Sequence, residues 1–374
     1  MNRYMKMKLL SVTICFLTVV TGCSSSESEV ASTSTSDNTS DSSNQSVTIM
    51  IGHQSPTAQT WGALIMKDQQ FYEKHLKDVE PDVDFKIEWF DSPAGPPLNN
   101  SMVGGDMRLA FMGDMPILSN GIVGVTNPNY NSVFLAFDGK GEFGKNQSII
   151  VPNEGVNSIN DLEGLSVSTP FGSSAHRMLL AALEQNGLSG KVEVVDHSVS
   201  VGLQSIEEKK IDGHATWEPW PSFMEYRGQG AILFDGELTK IDYLDGVVAN
   251  KDWVEENPSY AIAFLKALIE SHQFILANPQ EAAEIFAKES EFPLEVTEIM
   301  VETIHFDSGI YAHDIETLNG SLQFLSDQGM LEGELDLTQF IDDKYLKQAA
   351  EEMELTYLRE QEMNGGKWID WMSR

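Results

Sequence analysis

Short apolar runs alternate with longer amphipathic segments along the chain from residue 47 onward. The runs have the length of buried strands, and residues 83–89 alternate apolar and polar side chains with the period of a strand. Strands separated by helices are typical of a parallel α/β sheet. The predicted strands are residues 47–51, 83–89, 109–112, 133–137, 148–151, 165–167, 192–195 and 211–216.

The order of the elements divides the chain into lobes. The strand pattern begins again near residue 147, and the chain is mostly helical beyond residue 247. Two α/β lobes, the second inserted between two parts of the first, predict a hinge with a ligand cleft between them. The predicted helices are residues 60–76, 173–186, 201–209, 258–277, 279–288, 293–304 and 315–328. The predicted segments are lobe 1 at residues 47–144 and 247–344, lobe 2 at residues 145–246, and a C-terminal helix or tail at residues 345–374.

The first 46 residues have the pattern of a secretory leader followed by a linker. Three basic residues precede a short apolar core, which predicts a signal peptide over residues 1–22. The residues Val20-Thr21-Gly22-Cys23 resemble a bacterial lipobox, which implies cleavage before Cys23 and a lipid on its sulfur. The alternative is an ordinary signal peptide with a chance cysteine. Residues 24–46 include eleven serines and three threonines, so residues 23–46 are predicted to be a disordered linker.

The composition excludes several kinds of partner. The 374 residues have a formal net charge of −33, whereas nucleic acid and anionic lipid are bound by basic surfaces. No nucleic-acid partner is therefore expected, and the acidic residues are interpreted as a solvated surface. The eight histidines show no paired ligand spacing and no cysteine partners, so neither a metal nor another cofactor is expected.

Residues at the carboxyl ends of the predicted strands are the candidates for ligand binding. In parallel α/β sheets, ligands bind outside these ends. The ends in this chain are interrupted by glycine, proline, polar or aromatic residues. The candidates are His53, Gln54, Ala94, Gly95, Gly113, Asp114, Gly172, Ser173, Ser174, His176, Trp217, Glu218 and Trp220.

The turn from Gly172 to His176 joins a predicted strand to a predicted helix. Gly172 allows close approach to the backbone, and Ser173 or Ser174 can cap the helix. Because the first turn of a helix has free N–H groups and a partial positive charge, the turn predicts a seat for a small anion. The alternative is an ordinary capped helix, with His176 as an orienting or core residue.

The end of the last predicted strand in lobe 2 is aromatic. Trp217 and Trp220 flank Glu218, and two indoles with a carboxylate fit a primary ammonium group through cation–π contacts and an ion pair. Trp61 and Asp114 are candidates to complete this cage from lobe 1. Together with the anion seat, the pattern predicts a pocket for a short zwitterion. The alternative is that the tryptophans belong to the core and that Glu218 lies in an exposed turn.

Four motifs occur in one order along residues 47–277. They are Ser92-Pro93-Ala94-Gly95-Pro96-Pro97, Met112-Gly113-Asp114-Met115-Pro116, Gly172-Ser173-Ser174-Ala175-His176 and Asp212-Gly213. With these motifs the sequence resembles ABC-transporter substrate-binding proteins for aliphatic sulfonates, taurine and nitrate. The resemblance implies the type II periplasmic binding protein fold, with two lobes that close on a small solute, and delivery to a permease with ATPase subunits. The lipobox fits an extracytoplasmic lipoprotein anchored to the cell membrane through Cys23.

The ligand implied by the resemblance differs between branches of that family. Sulfonate binders usually carry Trp-Asp-Pro near the end of the second lobe, whereas Trp217-Glu218-Pro219-Trp220 is closer to nitrate and bicarbonate relatives. A taurine-like sulfonate is the first hypothesis. Nitrate, bicarbonate or a thiamine-pyrimidine precursor, and a sensory solute receptor, are the alternatives. A thiamine-pyrimidine synthase shares this fold but needs a cysteine-rich motif, which the predicted folded part does not contain, so no enzyme is expected.

Overall fold

The computed structural model describes residues 46–152 and 154–374. The predicted signal peptide, Cys23 and the linker up to residue 45 lie outside the described residues. None of the described helices combines the length and the apolar composition that a membrane crossing requires.

The described residues form eleven strands and fifteen α-helices. The strands are β1 (Ser46–His53), β2 (Asp84–Asp91), β3 (Leu109–Gly113), β4 (Ser132–Gly141), β5 (Gln147–Val151), β6 (Ser166–Thr169), β7 (Glu193–Asp196), β8 (Gly213–Trp217), β9 (Ala231–Asp235), β10 (Tyr243–Asn250) and β11 (His305–Phe306). The helices are α1 (Gly62–Gln69), α2 (Phe71–Val79), α3 (Gly95–Val103), α4 (Asp114–Thr126), α5 (Ser174–Gln185), α6 (Val199–Glu207), α7 (Trp220–Tyr226), α8 (Lys251–Glu256), α9 (Pro258–Ala277), α10 (Pro279–Ser290), α11 (Leu294–Thr303), α12 (Ala312–Asp327), α13 (Leu337–Phe340), α14 (Lys344–Glu352) and α15 (Glu360–Met363).

The strands form two mixed sheets rather than wholly parallel ones. The first has the order β11-β4-β10-β3-β1-β2, and the second has the order β7-β6-β8-β5-β9. β1 is parallel to β2 and β3, but β10 is antiparallel to both β3 and β4. In the second sheet β5 is antiparallel to β8 and β9. The parallel-sheet prediction is therefore wrong for these strands. β5 follows a strand of the first sheet, and β10 follows a strand of the second sheet, so neither strand needs the crossover helix that joins parallel neighbours.

The chain passes between the sheets twice, after β4 and again after β9. Two short 3-10 helices, Glu142–Gly144 and Gly236–Thr239, pack against each other at these crossings. Gly144 has a positive φ of 98°, and a Cβ there would lie 2.6 Å from the carbonyl oxygen of Gly236. Glycine therefore lets the two connecting segments touch. The predicted boundary at residue 246 falls within β10, which already belongs to the first sheet.

Helix starts follow the local sequence closely, and one predicted helix is divided. α9 and α10 begin with proline at their first helical positions, where its missing N–H is not needed. The predicted helix over residues 60–76 is interrupted at Gln70, whose φ of 54° is left-handed, so that α1 and α2 are separate helices. Turning at Gln70 lets α2 pack against α9.

Residues from α14 onward complete the core of the first lobe. Trp371 is fully buried in the cluster formed by β1, β3 and α9, and its Nε1 donates to Asp307 Oδ1 at 2.7 Å. Asp307 and Asp314 flank the fully buried Lys140, which donates to Asp314 Oδ2 at 3.0 Å and to the carbonyl oxygen of Gly309 at 2.7 Å. Burial alone would raise the pKa of Asp307, but the Lys140 ammonium, His305 and the backbone N–H of Gly309 together hold that pKa below its usual range.

The substitution Trp371→Ala is expected to lower the free energy of unfolding by about 3–5 kcal/mol, because it leaves a cavity in the core and removes the hydrogen bond to Asp307. Urea denaturation followed by circular dichroism measures the change. Leu276→Ala, at a half-exposed site on α9, is the control and should cost below about 1 kcal/mol. Equal losses in the two variants would contradict a core role for Trp371.

Candidate functional site

A cavity of about 420 Å³ lies where residues of both lobes meet. Its walls come from the carboxyl ends of strands in both sheets, from α3, α4 and α12, and from the turn before α5. The residues that line it are Gln54, Thr57, Ala94, Gly95, Pro96, Asn99, Asn100, Gly113, Pro116, Ser119, Pro170, Phe171, Gly172, Ser173, Ser174, Trp217, Tyr243, Leu325 and Met330.

The amino ends of three helices reach the cavity. α3 begins at Gly95, α4 follows Gly113, and α5 begins at Ser174. A Cβ on Gly95 would lie 2.3 Å from Cβ of Pro116, so glycine is needed for α3 and α4 to approach each other here. Each helix amino end has partial positive charge from its backbone dipoles. The three helices therefore direct partial positive charge toward the cavity, and none of the described residues that line it has a basic side chain.

The serine hydroxyls of the predicted anion seat have partners within the protein. Ser173 Oγ donates to the carbonyl oxygen of Pro170 at 2.6 Å and accepts from the backbone N–H of His176 at 3.2 Å. Ser174 Oγ donates to Asp114 Oδ1. Since the first N–H groups of a helix have no acceptor within it, the backbone of Ser174 is the donor that this turn offers to a solute.

His176 supports the turn instead of supplying charge to the cavity. The backbone N–H of Gly172 donates to His176 Nδ1 at 3.3 Å, which places the ring proton on Nε2. The ring is buried, and burial lowers the pKa of His176, so the imidazole is neutral. It stacks on Phe171 with 4.5 Å between ring centroids and meets the edge of Phe324 on α12.

Asp114 joins the two lobes behind the cavity. Its side chain is 2 % exposed and lies in lobe 1, at the start of α4. Oδ1 accepts from Ser174 of lobe 2 and from the backbone N–H of Met115 at 2.8 Å, and Oδ2 accepts from Ser321 Oγ at 2.6 Å. Because both oxygens have partners, Asp114 is not a free carboxylate for a ligand.

Arg177 extends this connection from α5 to α12. Its Nη1 donates to Ser321 Oγ at 2.7 Å and to the carbonyl oxygen of Thr317 at 3.2 Å. A Cβ on Gly320 would lie 2.3 Å from Arg177 Nη2, so glycine makes room for the guanidinium group. We name the connected residues Arg177, Ser321, Asp114 and Ser174 the interlobe clasp.

Trp217 lines the cavity and makes a second hydrogen-bonded contact between the lobes, separate from the interlobe clasp. Its Nε1 donates to Thr57 Oγ1 at 3.0 Å, which joins β8 of lobe 2 to the segment after β1. Thr57 accepts this bond, so its own hydroxyl proton remains available to a solute. Gln54 uses one amide hydrogen for the carbonyl oxygen of Phe111 at 3.3 Å and has a second.

Six predicted site residues do not line the cavity: Asp114 and His176, described above, and four others. His53 is buried beside Trp89, and burial lowers its pKa to about 4. Trp61 is fully buried against Phe286, with 4.9 Å between ring centroids. Trp220 donates from Nε1 to the carbonyl oxygen of Pro56 at 3.1 Å. Glu218 is the fourth. Because Trp61, Trp220 and Glu218 contact other protein groups and do not line the cavity, the predicted cage of indoles and a carboxylate is not assembled there.

Glu218 is a buried carboxyl group with internal partners. It is 6 % exposed, and its oxygens accept from the hydroxyl and the backbone N–H of Ser222 at 2.9 and 3.2 Å. Burial raises the pKa of Glu218 to about 7. The carbonyl oxygen of Glu218 also accepts from the backbone N–H of Ala58 at 3.0 Å, which is another contact between the lobes.

Several cavity residues were not predicted from the sequence. Asn99 lies one helical turn after Gly95 and faces the same cavity, so helical spacing from a predicted strand end would have found it. Tyr243 begins the unpredicted strand β10. Leu325 and Met330 come from α12 and the turn after it, far along the chain, and no local pattern marks them. Among the described residues, no group of three or more histidine, cysteine or acidic side chains is arranged to hold a metal ion.

Comparison with known proteins supports the resemblance seen in the sequence. Residues 145–282 match the family described as NMT1/THI5 like. The taurine-binding periplasmic protein of Escherichia coli (strain K12) is 28% identical over 197 residues, which are 52% of this chain and 58% of that protein. This chain therefore spans somewhat more than half the length of that relative. A protein of Bacillus subtilis (strain 168), named for binding aliphatic sulfonates, is 22% identical over 291 residues, covering 77% of this chain and 85% of that protein.

The fold has solved counterparts. The alkanesulfonate-binding protein of Xanthomonas axonopodis pv. citri, solved with MOPS bound, superposes with a TM-score of 0.67 at 20% identity, covering 79% of this chain and 98% of that chain. The chain has the α/β fold of the periplasmic binding proteins. The predicted fold class and the predicted resemblance to sulfonate-, taurine- and nitrate-binding proteins are confirmed.

The substitution Glu218→Gln is expected to remove a pH dependence of stability. The folded-state pKa of about 7 lies above the usual 4.5, so the folded protein resists ionisation and the wild type loses stability as pH rises through this window. The variant should gain up to about 3 kcal/mol relative to the wild type between about pH 4 and about pH 8. Urea denaturation across this range measures it, with the exposed Glu207→Gln as control. If the difference in free energy of unfolding between the variant and the wild type were the same at all pH values, the raised pKa of Glu218 would be contradicted.

The substitution Arg177→Ala is expected to loosen the interlobe clasp without unfolding either lobe. Amide hydrogen exchange at residues 317–321 should become about tenfold faster, because a hydrogen bond from a charged donor is lost. Gly320→Ala, which displaces the guanidinium group sterically, should act in the same direction. Arg227→Ala, at an exposed arginine on the end of α7, is the matched control. Unchanged exchange in both clasp variants would refute the clasp.

Proposed function

We propose that this protein is the solute-binding component of an ABC importer, which captures a small anionic organic solute of the sulfonate or taurine type. The observation that carries the proposal is the cavity between the lobes, where the amino ends of α3, α4 and α5 meet without a basic side chain. Such helix ends bind oxyanions through backbone N–H groups and aligned dipoles. The names of the relatives, which bind taurine and aliphatic sulfonates, support the same class of solute.

The solute would be held by neutral donors. The backbone N–H of Ser174, the hydroxyl of Thr57 and the second amide hydrogen of Gln54 reach the cavity, and each can donate to a sulfonate oxygen. Closure of the lobes removes the solute from water. A solute whose charge has no partner in the cavity would then bind weakly, because burying an unpaired charge costs free energy. Selection thus follows from closure, and the closed form is the state delivered to the permease and its ATPase subunits.

The proposed location is outside the cytoplasm, with a lipid anchor on Cys23. The lipobox-like residues and the serine-rich residues 24–46 support it, since a linker of this composition lets the lobes stand away from the membrane. We also propose that the protein binds and does not transform its solute. Two buried carboxyl groups near the cavity, Asp114 and Glu218, already have internal hydrogen-bond partners, and a third, Asp245, is fully buried.

The cavity size favours an organic solute over nitrate or bicarbonate. A volume of about 420 Å³ is within the usual range for small-molecule sites and much larger than a four-atom ion requires. Calorimetric titration of the full-length protein with alkanesulfonates, taurine, nitrate and bicarbonate tests the proposal. Binding of nitrate or bicarbonate, with no response to any sulfonate, would overturn it.

The substitutions Ser174→Ala and Trp217→Ala are each expected to weaken sulfonate binding by about tenfold or more, because one releases Asp114 from lobe 2 and the other removes a cavity wall. Calorimetry gives the dissociation constants, and circular dichroism verifies that both variants are folded. Ser189→Ala, at an exposed serine outside the cavity, is the matched control. Unchanged affinity in both cavity variants would mean that the solute binds elsewhere.

A further inference from the structure

Met330 is the most exposed of the methionines that the structure describes. The residue is 38 % exposed, whereas the other described methionines are buried or less exposed. It lines the cavity, and its Sδ lies 3.3 Å from the position that a Cβ on Gly172 would occupy, so lobe 1 meets lobe 2 here. We infer that Met330 is a site of reversible oxidation, at which a peroxide forms methionine sulfoxide and thereby weakens solute binding. The effect on binding rests on the proposed function, whereas the site of oxidation does not.

The end of α12 holds Met330 at this position. α12 ends at Asp327, and Gly329 beyond it has a left-handed φ of 65°. The backbone N–H of Gly329 donates to the carbonyl oxygen of Ser326 at 2.9 Å, and that of Met330 donates to the carbonyl oxygen of Leu325 at 2.9 Å. This pair of bonds is the Schellman motif, which brings the residue after the glycine back toward the last turn of the helix. Because Leu325 and Met330 both line the cavity, the motif fixes the thioether in the cavity wall.

The proposed reaction needs only the thioether and the peroxide. A lone pair of the Met330 sulfur attacks one oxygen of hydrogen peroxide, and the O–O bond breaks. The hydroxide that leaves takes the proton of the transferred hydroxyl group and becomes water. The sulfur is thereby oxidised to the sulfoxide, and the peroxide is reduced. A methionine sulfoxide reductase restores the thioether, so the change is reversible.

Sulfoxide formation would change the contact between the lobes. Oxidation converts a flexible apolar side chain into a polar one. The new oxygen is bonded to the sulfur that already approaches Gly172, and it is costly to bury beside Leu325 without a hydrogen-bond donor. If it accepts from the backbone N–H of Ser174, it occupies the donor that this turn offers to a solute. Its partial negative charge also opposes an anion at the amino end of α5. Each of these effects weakens closure on the solute.

The other described methionines are protected by the fold or lie outside the cavity. Met112 and Met115, close to the cavity in sequence and space, are fully buried. Met363 is less exposed than Met330 and packs against the core cluster of lobe 1. A peroxide in solution should therefore reach Met330 first. Met363→Leu is the matched control, since it removes a partly exposed thioether that does not line the cavity.

Peptide mapping by mass spectrometry tests the site of oxidation. The full-length protein is treated with dilute hydrogen peroxide, and samples are taken over time. Sulfoxide at Met330 should form at least about threefold faster than at any other described methionine, because its thioether is the most accessible. Faster oxidation of Met363 than of Met330 would overturn the assignment.

Calorimetric titration with taurine and methanesulfonate tests the effect on binding. After peroxide treatment the dissociation constant of the wild type should rise by about tenfold, and a methionine sulfoxide reductase should reverse the rise. Met330→Leu should change by less than about twofold on the same treatment, because leucine has no sulfur to oxidise. Each protein is compared with its own untreated sample, so any effect of leucine itself on affinity cancels. Met363→Leu should respond as the wild type does. Equal losses in the wild type and in Met330→Leu would overturn the inference.

Amide hydrogen exchange separates failure of this inference from failure of the proposed function. Exchange at residues 172–176 should become about fivefold faster after oxidation of the wild type, and it should not change in Met330→Leu. If the untreated protein binds no sulfonate but exchange responds in this way, the proposed function fails and oxidation of the lobe contact stands. If sulfonates bind and oxidation of Met330 changes neither affinity nor exchange, the proposed function stands and the inference about Met330 fails.

Discussion

The arrangement of the lobes depends on one buried carboxylate. Asp114 is almost completely removed from water, and a charge in that position is costly unless its oxygens are paired. Its partners come from both sides of the cleft, since Ser174 belongs to lobe 2 and Ser321 to lobe 1, with Arg177 behind Ser321. Separating the lobes would remove one of these partners. None of the described residues that line the cavity is charged, so the amino ends of α3, α4 and α5 are the positive features that reach it.

Local patterns in the sequence predicted most elements, and non-local pairing decided the rest. Proline at the first position identified α9, and alternation identified β2, because both signals act within a few residues. β10 was missed since it is buried along nearly its whole length, so it lacks the alternation of an exposed strand, and it is placed by pairing with β3 and β4, which lie far away in sequence. Gln70 adopts a left-handed conformation that no glycine or asparagine marks, so the break between α1 and α2 depends on packing against α9.

Site residues were chosen from the sequence because they follow predicted strands, so the prediction succeeded only for those strand ends that line the cavity. Gly95, Gly113, Ser174 and Trp217 meet this condition and line it. Trp61, however, follows a strand end and still packs inward against Phe286, since a large apolar ring gains more from the core than from a polar cleft. Composition could not distinguish a free carboxylate at residue 218 from one that is hydrogen-bonded to Ser222. Met330 reaches the cavity only through the tertiary fold.

The position of Trp371 has a consequence for the order of folding. The second sheet is built from one contiguous stretch, residues 147–235, whereas the core of the first lobe joins Ile49 to Trp371. Contacts between residues so distant in sequence form slowly, because closing a long loop costs entropy. During synthesis lobe 2 can therefore fold as an independent unit while lobe 1 is still incomplete. The inserted lobe then acts as a preformed scaffold that brings the two parts of lobe 1 together.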